Sequence, residues 1–190
     1  MNIESYTYMP TLETPRLYLR KLQMRDAADI YRYSRDAEVA RHVLWEAHHS
    51  IGDSRAYLRY MLRRYRQREA ASWGIEYRAT GQIIGTIGFM WIQTDNSAAE
   101  VGYSLSHDFW GQGIMTEALK AVIAHGFGSM NLNRIEAQHE TTNPASGAVM
   151  RKCGMVREGM LRQRLYNKGR YVDVELYAIL RKDYKSKNRH

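Results

Sequence analysis

The chain alternates early. After Pro15, Leu17 and Leu19 fall on one side of an extended segment and Arg16, Tyr18 and Arg20 on the other, which predicts a strand ending at Arg20. The period then changes. Asp26 stands where a helix cap belongs, and Ala27, Ile30, Tyr31 and Ser34 recur at helical spacing behind it. Tyr57, Leu58, Met61, Leu62 and Tyr65 form the apolar stripe of a second helix over residues 54–69. Residues 43–50, between the two, follow neither period and read as a loop. Strand patterns return over residues 72–77, 82–91 and 100–105, separated by the turn signals Ala79-Thr80-Gly81 and Thr94-Asp95-Asn96. They predict an antiparallel meander.

A glycine-bearing loop follows, then a helix over residues 116–127 and a strand over 134–138. Asn143-Pro144-Ala145-Ser146 opens another helix that ends near Cys153-Gly154. Residues 160–166 and 172–180 alternate across the turn Asn167-Lys168-Gly169, and residues 181–190 are expected to fray. Helices and strands are therefore mixed, which implies an α/β domain built on one mixed sheet.

Composition sets the bounds. At 190 residues, 44% hydrophobic and 25% charged, the chain suits one domain over residues 1–190. Its core is expected over about 10–182, with a basic tail at 183–190. No apolar run approaches the ~20 residues of a membrane span. Met1 to Tyr6 lacks the basic-then-apolar order of a signal peptide, so a cytoplasmic protein is expected. The single cysteine, Cys153, excludes an internal disulfide, and no metal is expected. The excess of 28 Lys+Arg over 20 Asp+Glu suits plain solubility or, more sharply, attraction to polyanions such as a phosphorylated cofactor, an acidic protein or RNA, and it disfavours a polycationic substrate.

The richest stretch joins residues 99–105 to Trp110-Gly111-Gln112-Gly113-Ile114-Met115-Thr116. An extended run, a glycine loop and a helix start in that order aim backbone N–H groups and the positive end of a helix dipole at one point. Such a point holds phosphate or pyrophosphate. A nucleoside-triphosphate loop would carry a lysine beside its last glycine, and this one has none. A dinucleotide fingerprint needs a third glycine where Thr116 stands, and an early βαβ unit where the meander stands. Two glycines alone also suit a plain strand-to-helix turn.

Read together, these segments resemble the GNAT superfamily of acetyl-CoA-dependent N-acetyltransferases. Glu100-Val101-Gly102-Tyr103-Ser104-Leu105 is similar to its central strand, residues 110–115 to its pyrophosphate loop, and Asn143 to Met155 to its following helix and turn. The branch with the RimJ/RimL-type ribosomal-protein N-terminal acetyltransferases also shares the Thr14-Pro15-Arg16 opening and a late Gly169…Asp173…Tyr177 pattern. The resemblance implies one GNAT-type domain, with a mixed, mostly antiparallel sheet, a splayed central strand and flanking helices. It implies acetyl-CoA as cosubstrate. The N–H groups of Gly111, Gln112, Gly113, Ile114, Met115 and Thr116 would take the pyrophosphate. Tyr103, Ser104 and Leu105 would pair with the pantetheine, and Asn143 and Ser146 would contact the same arm. Two positions depart from the family. Trp110 replaces Gln or Arg, and Met115 replaces a small residue, whose bulk would crowd the cofactor's approach.

The same resemblance distributes the chemistry. Glu158 matches the branch's general base, and Glu100 is the rival, because other branches place the base on the central strand. Ser146 matches the proton donor to the departing thiolate, with Tyr103 as an alternative. The plain reading of Glu158 is an exposed carboxylate paired with an arginine, and that of Glu100 a structural pair. Trp45, His48 and Tyr166 are expected at the acceptor. Cys153 has no histidine beside it and is not expected to be a nucleophile. Arg55, Arg59, Arg63, Arg64, Arg66 and Arg68 crowd one helix, either as its wet face or as a contact for RNA or an acidic protein.

The acceptor is expected to be a primary amine, foremost a protein N-terminus of ribosomal-protein type, attacked directly in a ternary complex. An α-amine of pKa ~7.8 is roughly one-seventh neutral at pH 7, whereas a lysine of pKa ~10.4 is neutral only at about 10⁻³ to 10⁻⁴. The rival readings are a small-molecule acetyltransferase acting on a polyamine, amino sugar or antibiotic, and a basic RNA- or ribosome-binding module with a vestigial fold. Monomer and homodimer both remain open.

Overall fold

Among the described residues, eight strands form one open sheet in the order β1-β2-β3-β4-β5-β6-β8-β7. The computed structural model describes residues 8–187. The readings made for Met1 to Tyr6 and for the last three residues of the tail lie outside the described residues. The strands are β1 (Leu12–Glu13), β2 (Leu17–Arg20), β3 (Ser72–Tyr77), β4 (Gln82–Gln93), β5 (Ala98–Leu105), β6 (Arg134–Glu140), β7 (Val156–Asn167) and β8 (Arg170–Leu180). The helices are α1 (Ala27–Ser34), α2 (Ala37–Ala40), α3 (Ile51–Gln67), α4 (Ile114–Gly128), α5 (Pro144–Lys152) and α6 (Arg181–Lys187).

β2 to β5 make the meander that their alternation predicts. β5 and β6 form the sheet's parallel pair, and it is short: Ala98 opposite Arg134, Ala99 opposite Ile135, Glu100 opposite Glu136. Past Glu100 the two strands part. β4 still holds β5 as far as Leu105 and β8 still holds β6 as far as Glu140, so each half stays paired on its outer side. The inner edges are left open. This is the splay implied for the central strand.

Both faces of the sheet are covered. The neighbours Ile83 and Ile84 point into different cores. Ile84 joins Leu19, Ile87, Val101, Leu119 and Ile135 against α4. Ile83 joins Leu22, Ile30, Leu58 and Met61 beneath α1 and α3. β4 carries a bulge between Phe89 and Trp91, opposite Val101 and Glu100. The extra residue, Met90, lies over Gly102, where an added Cβ would meet its Sδ at 2.9 Å.

Four local readings are corrected. Asp26 ends a short 3-10 turn, and its side chain does not cap α1. Both its oxygens accept instead from the Arg20 guanidinium at 2.9 Å, a bidentate pair stronger than a neutral cap. α3 starts at Ile51 rather than Ser54, because Ser50 and Asp53 close a capping box ahead of the apolar stripe. α2 was not legible, being four residues long with its N–H groups taken by Asp36. Residues 181–187 are helical rather than frayed: Arg181 Nε donates to the Leu132 carbonyl at 2.7 Å, and Tyr184 packs on Phe127. Among the described residues no helix is long and apolar enough to cross a membrane, and no group of three or more His, Cys, Asp or Glu is placed to hold a metal ion.

Candidate active site

The splay opens into a cavity of about 850 Å³. One side is walled by β5 from Glu100 to Leu105, by the loop through Trp110, Gly111 and Gly113, and by Asn143 and Ser146 of the α5 entry. The opposite side is walled by Glu38 to Trp45, by Tyr57, Tyr60 and Arg64 of α3, and by Gln138, His139 and Glu140 of β6. The cavity thus passes through the sheet at the point where β5 and β6 separate.

The loop is shaped to take an anion. Gly111 and Gly113 have φ of +74° and +75°, a region that only glycine enters cheaply, and Gly113 is the N-cap of α4. The first helical bond runs from the Glu117 N–H to the Gly113 carbonyl, so the N–H groups of Ile114, Met115 and Thr116 have no acceptor within the 15-residue helix and stand open at its start. Trp110 does not weaken the loop; its Nε1 donates to the Leu105 carbonyl at 2.8 Å and ties the loop to the end of β5. Gln112 lies outside the cavity lining and bonds the Asp108 carbonyl through its side chain. Met115 belongs to the main core and is 6% exposed. Its side chain packs beneath the loop and also lines the cavity, beside Ile114 and Thr116.

Glu117 anchors this region. It accepts from the Thr14 hydroxyl at 2.6 Å, the Arg16 N–H at 2.9 Å and Arg16 Nε at 2.7 Å, while Arg16 also reaches the Gln112 carbonyl. Burial pushes the Glu117 carboxyl up, but the Thr14 and Arg16 donors outweigh it and hold it below the usual carboxylate value. A carboxyl depressed in the folded state stabilises above its unfolded pKa, and that contribution is lost as pH falls through the folded pKa. Glu117→Gln is therefore expected to lower the thermal midpoint at pH 7. The gap to wild type should close progressively below about pH 4. Calorimetric melts across pH check this, and a gap independent of pH would remove the ionic account.

Tyr103 and Ser146 meet in the same wall: their hydroxyls are 2.8 Å apart, and Tyr103 also donates to the Ser146 carbonyl at 3.2 Å. Burial pushes the Tyr103 phenol well up, so it stays protonated at neutral pH. Asn143 accepts from the Ser146 N–H through Oδ1 and so caps α5. Glu100 sits at the splay, its oxygens receiving Trp91 Nε1 at 2.7 Å and Gln138 Nε2 at 3.0 Å.

Glu158 is set apart. It lies in a bulge of β7, outside the cavity lining, and Arg134 grips both its oxygens. That guanidinium holds its carboxyl below the usual range. Trp45 lines the cavity, but His48 and Tyr166 do not. His48 is engaged through Nδ1 with the Ser54 hydroxyl at 2.8 Å, and burial lowers its pKa. Tyr166 is 63% exposed and packs edge-on against Tyr171. Cys153 is buried, and burial pushes its thiol up to about 11, which suits no nucleophile.

Sequence reasoning missed Gln138, Glu140, His42 and Lys168. Their partners lie far away in the chain, and no local spacing signals them. Lys168 Nζ, in the β7–β8 turn, donates to the carbonyls of Val43 at 2.6 Å and Trp45 at 3.1 Å. The hairpin tip thereby holds the loop at Val43 and Trp45 in place.

The known proteins that match carry the same architecture. The model of the acetyltransferase (GNAT) domain matches residues 16–156. The chain belongs to the GNAT family and is an acetyl-CoA-dependent N-acetyltransferase. Its relatives place it in the RimJ/RimL-type branch. It is 35% identical to N-acetyltransferase p20 of Bacillus licheniformis over 93% of this chain and 99% of that protein. It is 39% identical to the ribosomal-protein-serine acetyltransferase of Escherichia coli over 51% of this chain and 54% of that one. Among solved structures, RimL, a ribosomal L7/L12 alpha-N-protein acetyltransferase in complex with coenzyme A, superposes with a TM-score of 0.81. That match is 25% identical and covers 90% of this chain and 98% of that one.

Proposed function

We propose that this enzyme acetylates the α-amine of a polypeptide N-terminus, of ribosomal-protein type, by direct attack in a ternary complex. The observation that carries the reading is the position of Glu100, the carboxylate at the splay of a cavity that reaches the open N–H groups at the start of α4 on one side and Trp45 and α3 on the other.

The residues present suit acetyl-CoA. The open donors of residues 114–116 match a pyrophosphate, and the unpaired inner edge of β5 matches an amide-bearing arm laid alongside it. When bound, acetyl-CoA supplies the acetyl group as a thioester. Glu100 takes the proton that the attacking nitrogen must lose. Tyr103, protonated and bonded to Ser146, is the proton donor to the departing thiolate. Glu158, gripped by Arg134 outside the cavity, has no part in this assignment.

An α-amine asks only modest help from such a base, since about one-seventh of it is already neutral at pH 7. The ribosomal-protein names of the relatives agree with a polypeptide acceptor. The outer face of α3 supports it further. Arg55, Arg59, Arg63 and Arg66 stand exposed on the helix whose inner residues Tyr57, Tyr60 and Arg64 wall the cavity, so acidic stretches of an acceptor chain are drawn to the mouth. Acetyl transfer measured on short peptides with free N-termini, beside polyamines, amino sugars and aminoglycosides, tests the reading. Peptide N-termini are expected to turn over with the higher kcat/KM. Turnover of the small amines with none of the peptides would overturn it.

A further inference from the structure

A second acid–base pair lies in the cavity wall. Glu140 ends β6 with its side chain only 3% exposed, and His42 Nδ1 stands 3.1 Å from its Oε2. Burial pushes the Glu140 carboxyl up, but Asn167 Nδ2 at 2.5 Å, His42, and the Arg170 charge at 3.7 Å outweigh burial and keep it ionised at neutral pH. An ionised carboxylate only accepts hydrogen bonds, so Nδ1 of His42 carries the proton. In the neutral ring the lone pair is then on Nε2. His42 lines the cavity with its side chain 19% exposed, and among the described residues no protein group bonds to Nε2.

The pair is braced from several elements. Asn167 and Arg170 come from the β7–β8 hairpin, and Thr142 reaches Glu140 at 3.4 Å. Lys168 fixes the loop on the far side of His42 through Val43 and Trp45. Glu38 and Arg41 line the cavity on the histidine's own side and pair with each other at 3.4 Å. A buried carboxylate that sets the tautomer of an imidazole in the wall of a reaction cavity is the arrangement of an oriented general base.

We propose that His42, oriented by Glu140, takes the first proton from the acceptor ammonium as it enters, before Glu100 acts at the splay. The inference rests on the amine-acetylation reading above. In this step one N–H bond of the ammonium breaks, an Nε2–H bond forms, and the neutral amine moves on. The imidazolium returns its proton to solvent through the exposed mouth. The acceptor therefore loses two protons to two different groups, as an ammonium that becomes an amide must.

The size of the effect is bounded. An α-amine of pKa ~7.8 is roughly one-seventh neutral at pH 7, so an enzyme restricted to the neutral fraction loses at most about sevenfold there. The test is the pH profile of kcat/KM for a peptide acceptor, in wild type, His42→Gln and His42→Phe. Glutamine can still donate to Glu140, and phenylalanine fills the ring's volume. In wild type, kcat/KM should hold as pH drops below the amine's own pKa. In both variants it should fall from the amine's pKa downward, reach about fivefold to sevenfold below wild type at pH 7, and rejoin wild type above pH 9. With a peptide whose first residue bears β-fluorines, which leave the amine neutral at pH 7, the variants should match wild type. A loss equal at every pH and for both peptides would show a purely structural residue and overturn the proposal, as would unchanged profiles. A wild-type enzyme inactive on every amine would instead remove the proposed function itself.

Discussion

Glu100→Gln is expected to lower kcat for a peptide acceptor by about 10²-fold or more at pH 7, the usual worth of a positioned general base, while the KM for acetyl-CoA stays near wild type. The substitution is nearly isosteric, and its surroundings can absorb it. Gln138 can turn its amide to present oxygen to the new NH₂ group, while Trp91 Nε1 still donates to the remaining oxygen. The fold and the loop at residues 111–116 are therefore preserved, and what is lost is the proton acceptor. Glu158→Gln is the paired measurement. It removes one arm of a half-exposed pair with Arg134, whose Nε keeps its bond to Glu136, so both kcat and the thermal midpoint should hardly move. Steady-state kinetics on the two variants decide the matter: a large loss in Glu158→Gln with none in Glu100→Gln would return the base to β7.

The fold and the cofactor end of the site were legible in the chain because their signals are local. Alternation marks β2 to β5 within a few residues of their ends, and Gly111 and Gly113 announce a turn that opens into a helix. Met115 stands in the first turn of α4, where side chains lean back onto the core, and it both packs there and lines the cavity. Tyr166 misled through phase. The register of β7 shifts between Leu161 and Leu165, so Leu165 reaches the cavity and the next residue turns outward. An arginine partner for Glu158 was one reading of the sequence, but that this partner is Arg134, 24 residues away on β6, appears only in the assembled sheet. The pairing of His42 with Glu140, 98 residues apart, has the same origin. What a carboxylate does here follows from which strand brings its donor, and spacing along the chain does not record that.

Gly88→Ala is expected to destabilise the protein by about 3 kcal/mol, the upper part of the usual range for overpacking, and to cost activity well below its melting temperature. Gly88 lies in β4 between Ser72 of β3 and Gly102 of β5. An added Cβ would fall well inside 3.0 Å of the Ala71 carbonyl oxygen and the Ser72 Cα, which are backbone atoms. Neither can swing aside as a side chain would, so β3 and β4 must shift. The shift reaches Phe89, whose N–H bonds that same Ala71 carbonyl, and then the Met90 bulge that lies against Gly102 in the cavity wall. For a chain of this length, 3 kcal/mol corresponds to a loss of roughly 6–12 °C in the thermal midpoint. Gly159→Ala supplies the contrast. Gly159 sits on the edge strand β7, and its added Cβ meets no atom within 4 Å, so its midpoint and kcat should match wild type. Equal melting of the two variants would mean that β4 has more room than its neighbours define, and that the bulge is not held in place by the close approach at Gly88.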